Sequence, residues 1–235
     1  MIMRVKIFAD GADKASVLEL ARNPLIQGFT TNPTLMRQAG VKDYECFCRG
    51  LVDAIPDRPF SFEVFSDEFE EMERHARCIA GWGENIYVKI PITNTRGESS
   101  APLIGRLSRQ GVKVNVTAMM TLRQVDAVLP CLKDGPPCYL SIFAGRVADA
   151  GCDPLPLMCE ALQRLRNLPQ AELIWASPRE LFNIVQADRL GCHIITVTHS
   201  LLQKLPTLGR DLDEFSLDTV KMFYADAVAA GYQLK

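Results

Sequence analysis

The sequence predicts a single α/β domain over residues 1–235, folded as a (β/α)8 TIM barrel. Eight short apolar runs rich in β-branched residues recur at fairly even intervals, and segments with helical periodicity lie between them. The 235 residues are 48% hydrophobic and 23% charged, which is enough apolar content for a sizeable core. A doubly wound open sheet is the rival fold, but the sequence lacks both glycine-rich phosphate-loop fingerprints that this fold often carries.

The apolar runs define the predicted strands, because four to eight residues bounded by turn signals are typical of buried parallel strands. In chain order the strands cover residues 5–10, 28–32, 60–65, 86–92, 112–118, 139–145, 172–177 and 193–198.

Each run is followed by a segment in which apolar residues recur with helical spacing. The third of these segments opens with acidic residues and stops at a glycine, whereas Pro130 is expected to kink or shorten the fifth. The predicted helices cover residues 13–23, 43–55, 67–83, 100–111, 122–135, 154–168 and 178–191, with a C-terminal helix at about 216–231.

Charge and composition argue against several classes of partner. The net charge is −2 and the pI about 6.0, so nothing favours binding to nucleic acid or to an anionic membrane. No apolar run approaches the roughly 20 residues of a membrane span, and the N-terminus turns acidic too early for a signal peptide. The eight cysteines form no C-x-x-C pair and the three histidines have no metal-ligand spacing, so we expect a cytoplasmic protein with reduced thiols, no metal and no cofactor.

Polar side chains stand late in seven of the predicted strands, or just after them, where a barrel places its active site. Filling this region with polar groups is costly, so the pattern indicates a function. These residues are Asp10, Thr30, Thr31, Asn32, Glu63, Lys89, Asn115, Thr117, Ser141, Arg146, Ser177 and Arg179.

Lys89 suggests the chemistry. It lies within the strand "IYVKIPI", and a buried lysine must be paired or lose its proton. A neutral amine attacks carbonyls and forms a Schiff base, which allows a carbon–carbon bond to be cleaved or formed one position away. Asp10 and Glu63 are candidate general bases, and Thr117 could hold the water that imine chemistry requires.

Two arginines suggest the substrate class. Arg146 and Arg179 lie just after the sixth and seventh strands, where they could form a bidentate phosphate clamp at the barrel rim, so a phosphosugar is expected.

Each residue also has a structural explanation when it is taken alone. Lys89 could snorkel at a strand end, Asp10 could cap a helix, and Glu63 could face outward. Arg146 and Arg179 could be solvated, Asn115 and Thr117 could form a buried polar pair, and "TTNP" could simply start a helix at Pro33. If the pattern had only structural causes, all of these explanations would have to hold at the same time on one face of one barrel.

Seven motifs in chain order carry a resemblance that covers nearly the whole chain. They are "FADGAD", "TTNPT", "FEV", "VKIP", "NVTAMMT", "SIFAGR" and "WASPRE". With these motifs the sequence resembles the transaldolase family in its short form.

The resemblance implies a class I Schiff-base transaldolase that uses no metal. It implies that Lys89 is the Schiff-base lysine, that Asp10 is the acid/base, and that Glu63 and Thr117 hold the catalytic water. The dihydroxyacetone portion would be bound by Asn32, Asn115 and Ser177 with help from Ser141, and the phosphate by Arg146 and Arg179. Thr31 and Phe143 are counted with the substrate-binding residues.

The family has two branches, and four positions bear on the choice between them. Transaldolases pass the dihydroxyacetone unit to an aldose, whereas the similar fructose-6-phosphate aldolases release it. Glu63, Ser141, Phe143 and Arg179 match the transferase branch. The lyase reaction, an unusual ketose made in a specialised sugar pathway, and a non-catalytic phosphosugar sensor stay open beside a transaldolase of the pentose phosphate pathway. Short-form members tend to form rings through the C-terminal helix, so a homo-oligomer is also expected.

Overall fold

The structure is a computed structural model that describes residues 3–234, and it contains a closed barrel of eight parallel strands. The first strand pairs with both the second and the eighth, which closes the barrel and confirms the predicted (β/α)8 fold. The strands are β1 Lys6–Asp10, β2 Ile26–Thr30, β3 Phe60–Glu63, β4 Ile86–Pro91, β5 Val114–Met119, β6 Cys138–Ile142, β7 Ala171–Trp175 and β8 Ile194–Thr198.

Within the described residues, the chain divides into two compact units, residues 3–202 and residues 203–234. The first unit contains all eight strands and ten helices. Its helices are α1 Lys14–Leu20, α2 Pro33–Gln38, α3 Tyr44–Ala54, α4 Phe69–Ala80, α5 Ala101–Arg109, α6 Leu122–Leu132, α7 Ala144–Asp149, α8 Pro154–Leu165, α9 Phe182–Leu190 and α10 His199–Leu202.

The second unit holds a 3₁₀ turn, Leu205–Thr207, and the long helix α11, Leu212–Ala230. This helix begins earlier than the expected start near residue 216, because the Asp211 side chain accepts hydrogen bonds from the Asp213 and Glu214 N–H groups and so caps it there. That the whole chain forms a single domain stays a prediction.

Two strands differ from the prediction where a helix starts early. β2 ends at Thr30, because Asn32 caps helix α2 and Pro33 is its first residue. β6 ends at Ile142, because Phe143 leaves the strand conformation and α7 starts at Ala144, a helix that the sequence pattern did not indicate. Pro130 lies inside α6, which nevertheless continues to Leu132.

The alternation of side chains along each strand divides the barrel interior into an aromatic layer and a polar layer. Phe8, Tyr87 and Tyr139 each lie two residues before a polar position, so each shares a face with it. The rings of Tyr87 and Tyr139 are stacked with their centroids 3.8 Å apart, and Phe8 packs edge-on to Tyr139 at 5.8 Å. These rings form an apolar floor beneath the polar groups.

Gly28 makes room for that floor. A Cβ atom at this position would lie 2.6 Å from the Phe8 ring, which is too close for any larger residue without displacing the ring. Within residues 3–234, no helix has both the length and the apolar character needed to cross a membrane.

Candidate active site

A cavity of about 590 Å³ opens at the carboxyl ends of the strands. It contains every residue that the sequence indicated for the site except Thr31. Twelve indicated residues line it: Asp10, Thr30, Asn32, Glu63, Lys89, Asn115, Thr117, Ser141, Phe143, Arg146, Ser177 and Arg179. The polar side chains therefore do converge, as expected from the common edge of a parallel barrel.

Lys89 lies deep in this cavity and is only 6% exposed. Its Nζ donates a hydrogen bond to the Thr31 carbonyl oxygen at 2.8 Å and lies 3.2 Å from Glu63 Oε2. Glu63 and Lys89 are register partners on β3 and β4, which brings the two side chains together on the interior face. The cost of burying the ammonium is thus offset by a carboxylate and a carbonyl.

Tyr44, on helix α3, holds the end of strand β3. Its hydroxyl donates to the Glu63 carbonyl oxygen and accepts from the Glu63 N–H, both at 2.9 Å. Burial raises the pKa of Tyr44 far above its ordinary value, so the hydroxyl stays protonated and can keep donating. Tyr44 therefore fixes the main chain that carries Glu63.

Asp10, at the end of β1, is the second carboxylate of the site. Its Oδ1 accepts a hydrogen bond from the Thr30 hydroxyl at 2.8 Å. Desolvation by burial raises the pKa of Asp10 above its ordinary value, although the Lys89 ammonium and the Thr30 hydrogen bond oppose the shift. A carboxyl group of raised pKa is suited both to accept and to return a proton.

A hydrogen-bonded chain crosses the barrel interior beside Lys89. Ser141 donates to Asn115 Oδ1 at 2.7 Å, and Asn115 Nδ2 donates to the Ser61 hydroxyl at 3.0 Å. These contacts fix the orientation of the Asn115 amide, because both of its ends are engaged. Thr117, two residues further along β5, is 1% exposed, and its hydroxyl has no hydrogen-bond partner among the described residues.

The turn after β2 has two roles. Asn32 Oδ1 caps helix α2 by accepting from the Leu35 N–H at 3.0 Å, and Asn32 also lines the cavity. Thr31 contributes its carbonyl oxygen to Lys89, and its hydroxyl is buried without a partner among the described residues.

The rim beside β6 and β7 carries the two arginines. Arg179 Nη1 donates to the Ser177 hydroxyl at 3.0 Å, and Nε donates to Asp149 Oδ1 at 2.8 Å. The Arg146 side chain makes no hydrogen bond or ion pair within residues 3–234, and its guanidinium lies 5.8 Å from the centre of the Phe143 ring. One arginine of the proposed clamp is thus held in place and the other is not.

Ala118 and Ser177, which line the cavity, have φ values of +62° and +61°. Such values are uncommon for residues other than glycine, and they often occur at functional sites.

Three further residues support or line the site but were not among the expected site residues: Tyr44, Ser61 and Thr196. Ser61 and Thr196 each lie two residues before or after an interior position on their strand, so the period of two could have indicated them. Tyr44 lies on helix α3, nineteen residues before Glu63, and no local sequence pattern indicates the contact between them. Within the described part of the chain, no three metal-ligating side chains cluster.

A closed barrel whose carboxyl-end cavity holds a buried lysine beside two carboxylates has the architecture of a barrel enzyme. Residues 7–234 match the model of the family described as Transaldolase/Fructose-6-phosphate aldolase. Curated relatives named "Probable transaldolase" from Streptococcus pyogenes serotype M5 (strain Manfredo) and serotype M49 (strain NZ131) are each 35% identical over 203 residues. That alignment covers 86% of this chain and 90% of each relative.

A solved structure titled "Native KDPGal structure" aligns with a TM-score of 0.55 over 99% of both chains. It is 13% identical, so this similarity supports the fold alone. The family match decides the membership: the chain belongs to the transaldolase/fructose-6-phosphate aldolase family and is an enzyme of the transaldolase type.

Proposed function

We propose that this protein transfers a dihydroxyacetone unit from a ketose phosphate, such as fructose 6-phosphate or sedoheptulose 7-phosphate, to an aldose acceptor. A Schiff base on Lys89 would carry the unit. The observation that carries this proposal is the position of Lys89 Nζ, buried in the cavity and 3.2 Å from Glu63 Oε2. An amine in this position has a carboxylate within reach to take its proton before it attacks a carbonyl.

Schiff-base formation begins when Nζ attacks the ketose carbonyl carbon. The resulting carbinolamine loses water and leaves an iminium. Glu63 and Thr117 would hold this water, which also returns in the final hydrolysis. The Thr117 hydroxyl supports the assignment, because a buried hydroxyl without a partner among residues 3–234 needs a hydrogen bond from water or substrate.

Bond cleavage follows from the electron demand of the iminium. Asp10 takes the proton from the hydroxyl on the far carbon of the bond that breaks, that carbon becomes an aldehyde, and the bonding electrons move into the iminium as an enamine. In the second half-reaction the enamine attacks the acceptor aldehyde, and Asp10 returns its proton to the new alkoxide. The raised pKa of Asp10 suits both directions.

The remaining polar side chains would bind the substrate on either side of the reacting carbons. Asn32, Asn115, Ser141 and Ser177 would hold the dihydroxyacetone portion. At the rim, Arg146 and Arg179 would hold the phosphate, because a guanidinium matches two phosphate oxygens at once.

Phe143 favours transfer over the lyase reaction. It lines the cavity where a tyrosine would add a proton donor beside the proposed water, and phenylalanine has none. Without that donor the enamine is protonated less readily and survives until an aldose arrives. The lyase reaction, which releases dihydroxyacetone, is therefore the second candidate.

Borohydride trapping tests the proposal. The protein is mixed with fructose 6-phosphate, reduced with borohydride, and studied by intact mass and peptide mapping. We expect a stable adduct of the three-carbon unit on Lys89 and none with Lys89→Met. Lys113→Met is a matched control. Lys113 directly precedes β5, lies outside this cavity, and donates a hydrogen bond from its Nζ to the Glu84 carbonyl oxygen. It should trap like the wild type.

Candidate aldoses added before the borohydride separate the two reactions. Transfer predicts that less adduct is then trapped on Lys89 and that a longer ketose forms, with little free dihydroxyacetone. If free dihydroxyacetone exceeds the transferred product, the protein is a lyase and the transfer proposal is wrong. If a panel of ketose phosphates leaves no adduct on Lys89, the Schiff-base proposal is wrong.

We further propose a cytoplasmic role in carbohydrate metabolism, at the pentose phosphate pathway or a specialised sugar pathway, with no nucleic-acid partner. The eight free cysteines support the compartment, and the net charge of −2 supports the absence of a nucleic-acid partner. The exposed apolar side chains of α11 support self-association.

A further inference from the structure

The Arg179 guanidinium is held along one edge by Asp149, a residue of helix α7 that the function above does not use. Nε and Nη2 donate to the two carboxylate oxygens of Asp149, and Nη1 donates to the Ser177 hydroxyl. A guanidinium has five N–H donors. Three are engaged here, so one on Nη1 and one on Nη2 remain for a ligand in the cavity that Arg179 lines.

Helix α7 provides the surface on which this guanidinium lies. Gly145 and Asp149 are four residues apart and therefore share a helix face. A Cβ atom on Gly145 would lie 3.4 Å from Arg179 Cζ and 1.6 Å from the Ser177 carbonyl oxygen. Gly145 thus lets the turn that carries Ser177 and Arg179 approach the helix. Asp149, one helical turn further along, accepts the hydrogen bonds of the Arg179 guanidinium.

The ion pair is too exposed to be explained as a source of stability. The Arg179 and Asp149 side chains are 44% and 53% exposed, and exposed pairs contribute little to folding. A fixed direction is what the contact adds: an arginine held before the ligand arrives loses less side-chain entropy on binding. The Arg179 hydrogen bonds hold the pKa of Asp149 below its ordinary value, so the carboxylate stays charged at neutral pH.

We propose that Asp149 is a positioning residue, which holds Arg179 so that its two remaining N–H donors point at the phosphate of the bound sugar. Arg146, whose side chain has no hydrogen-bonded carboxylate within residues 3–234, contributes positive charge to phosphate binding. Arg179 determines the orientation of the bound phosphate. The inference rests on the proposed function for the identity of the sugar, but the contact between arginine and phosphate can be measured without turnover.

The test compares a phosphorylated with an unphosphorylated ligand. For Asp149→Ala we expect the KM for fructose 6-phosphate to rise about tenfold, the change that corresponds to weakening one hydrogen bond to a charged group, with kcat changed less than about twofold. The half-saturating concentration of dihydroxyacetone in borohydride trapping should not change, because this ligand has no phosphate. Asp149→Asn, which is nearly isosteric, should also raise the KM for fructose 6-phosphate. Asp149→Glu should raise it less than Asp149→Ala does.

The matched control is Asp126→Ala. Asp126 also pairs with an arginine, Arg164, at 2.7 Å on the exposed surface, and neither residue lines the cavity. This variant should leave both ligands unaffected. In an Arg179→Ala background, Asp149→Ala should add no further rise in KM, because the residue that it positions is gone.

Inorganic phosphate titrated into the protein and followed by calorimetry gives a readout that needs no Schiff base. Asp149→Ala and Asp149→Asn should weaken phosphate binding relative to the wild type and Asp126→Ala. Equal losses for fructose 6-phosphate and dihydroxyacetone would overturn the proposal, as would unchanged phosphate binding. If the wild type traps no adduct at all, the proposed function fails, while the phosphate titration still decides the role of Asp149.

Discussion

Lys89 is buried inside the barrel, where Glu63 and the Thr31 carbonyl oxygen both reach its Nζ. A buried ion pair of this kind is a poor source of stability compared with apolar packing, since both charges lose water. In the proposed mechanism the same carboxylate is within reach to accept the Lys89 proton.

Asp10→Asn should separate the stability of this enzyme from its activity. Burial raises the pKa of Asp10, so folding carries a free-energy cost at any pH at which this carboxyl is charged in the unfolded chain. We expect the neutral amide to raise the free energy of unfolding at neutral pH while kcat falls by about 10²-fold to 10⁴-fold, the range for loss of a general acid–base. Urea unfolding and steady-state kinetics measure the two effects.

The pH dependence has a definite sign. Between the ordinary value of 3.8 and the raised folded pKa, the unfolded chain has lost the Asp10 proton while the folded chain keeps it. Stability of the wild type therefore decreases as pH rises through this window, and Asp10→Asn lacks that contribution. The advantage of the variant should grow with pH across the window. A constant difference between the two proteins would contradict the assignment.

At the scale of elements, the site depends on how closely α7 approaches the turn after β7. Only a residue without a side chain fits at position 145, because a Cβ would lie 1.6 Å from a main-chain oxygen that cannot move aside alone. The contact joins two segments about thirty residues apart, and it places Arg179 against the helix that carries Arg146 and Asp149.

Gly145→Ala should therefore destabilise the protein by about 1–3 kcal/mol, the usual cost of overpacking, and should weaken phosphate binding. Gly50→Ala in α3 is the matched control. A Cβ there meets only the flexible end of Lys14 at 3.4 Å, so the helix preference of alanine should stabilise the protein by roughly 0.5–1 kcal/mol. Chemical denaturation of both variants checks the pair, and equal shifts would show that the close approach has no consequence.

At the scale of the whole molecule, the second unit contains a helix with no buried residue. Helix α11 and the residues around it expose ten large apolar side chains: Leu212, Phe215, Leu217, Val220, Met222, Phe223, Tyr224, Val228, Tyr232 and Leu234. Clusters of exposed apolar side chains are uncommon on monomeric proteins and are typical of interfaces, which is why we expect this helix to mediate the proposed self-association.

We expect the 235-residue chain to have a mass in solution larger than 26.2 kDa by light scattering. Phe223→Glu should lower the measured mass, because it places a charge among the exposed apolar groups. Arg74→Glu on α4, a charge change on an already polar and exposed position, should not. A monomeric wild type would contradict the expected self-association.

The sequence by itself determined the barrel and most of the residues around its cavity. Alternation along a strand follows from backbone geometry, so Asn115 and Thr117 had to share a face. The carboxyl ends of parallel strands must meet at one edge, so Asp10, Glu63 and Lys89 had to converge. Neither conclusion needs any knowledge of distant contacts.

Only the tertiary structure decided which atoms meet. Lys89 reaches Glu63 because the register of β3 on β4 pairs them, Tyr44 reaches Glu63 from a helix nineteen residues earlier, and Asp149 reaches Arg179 across thirty residues. The early start of α7 at Ala144 was missed for the same reason, since its close packing on Ser177 is not visible in local periodicity. Register and packing are set by long-range contacts, and a local pattern carries no record of them.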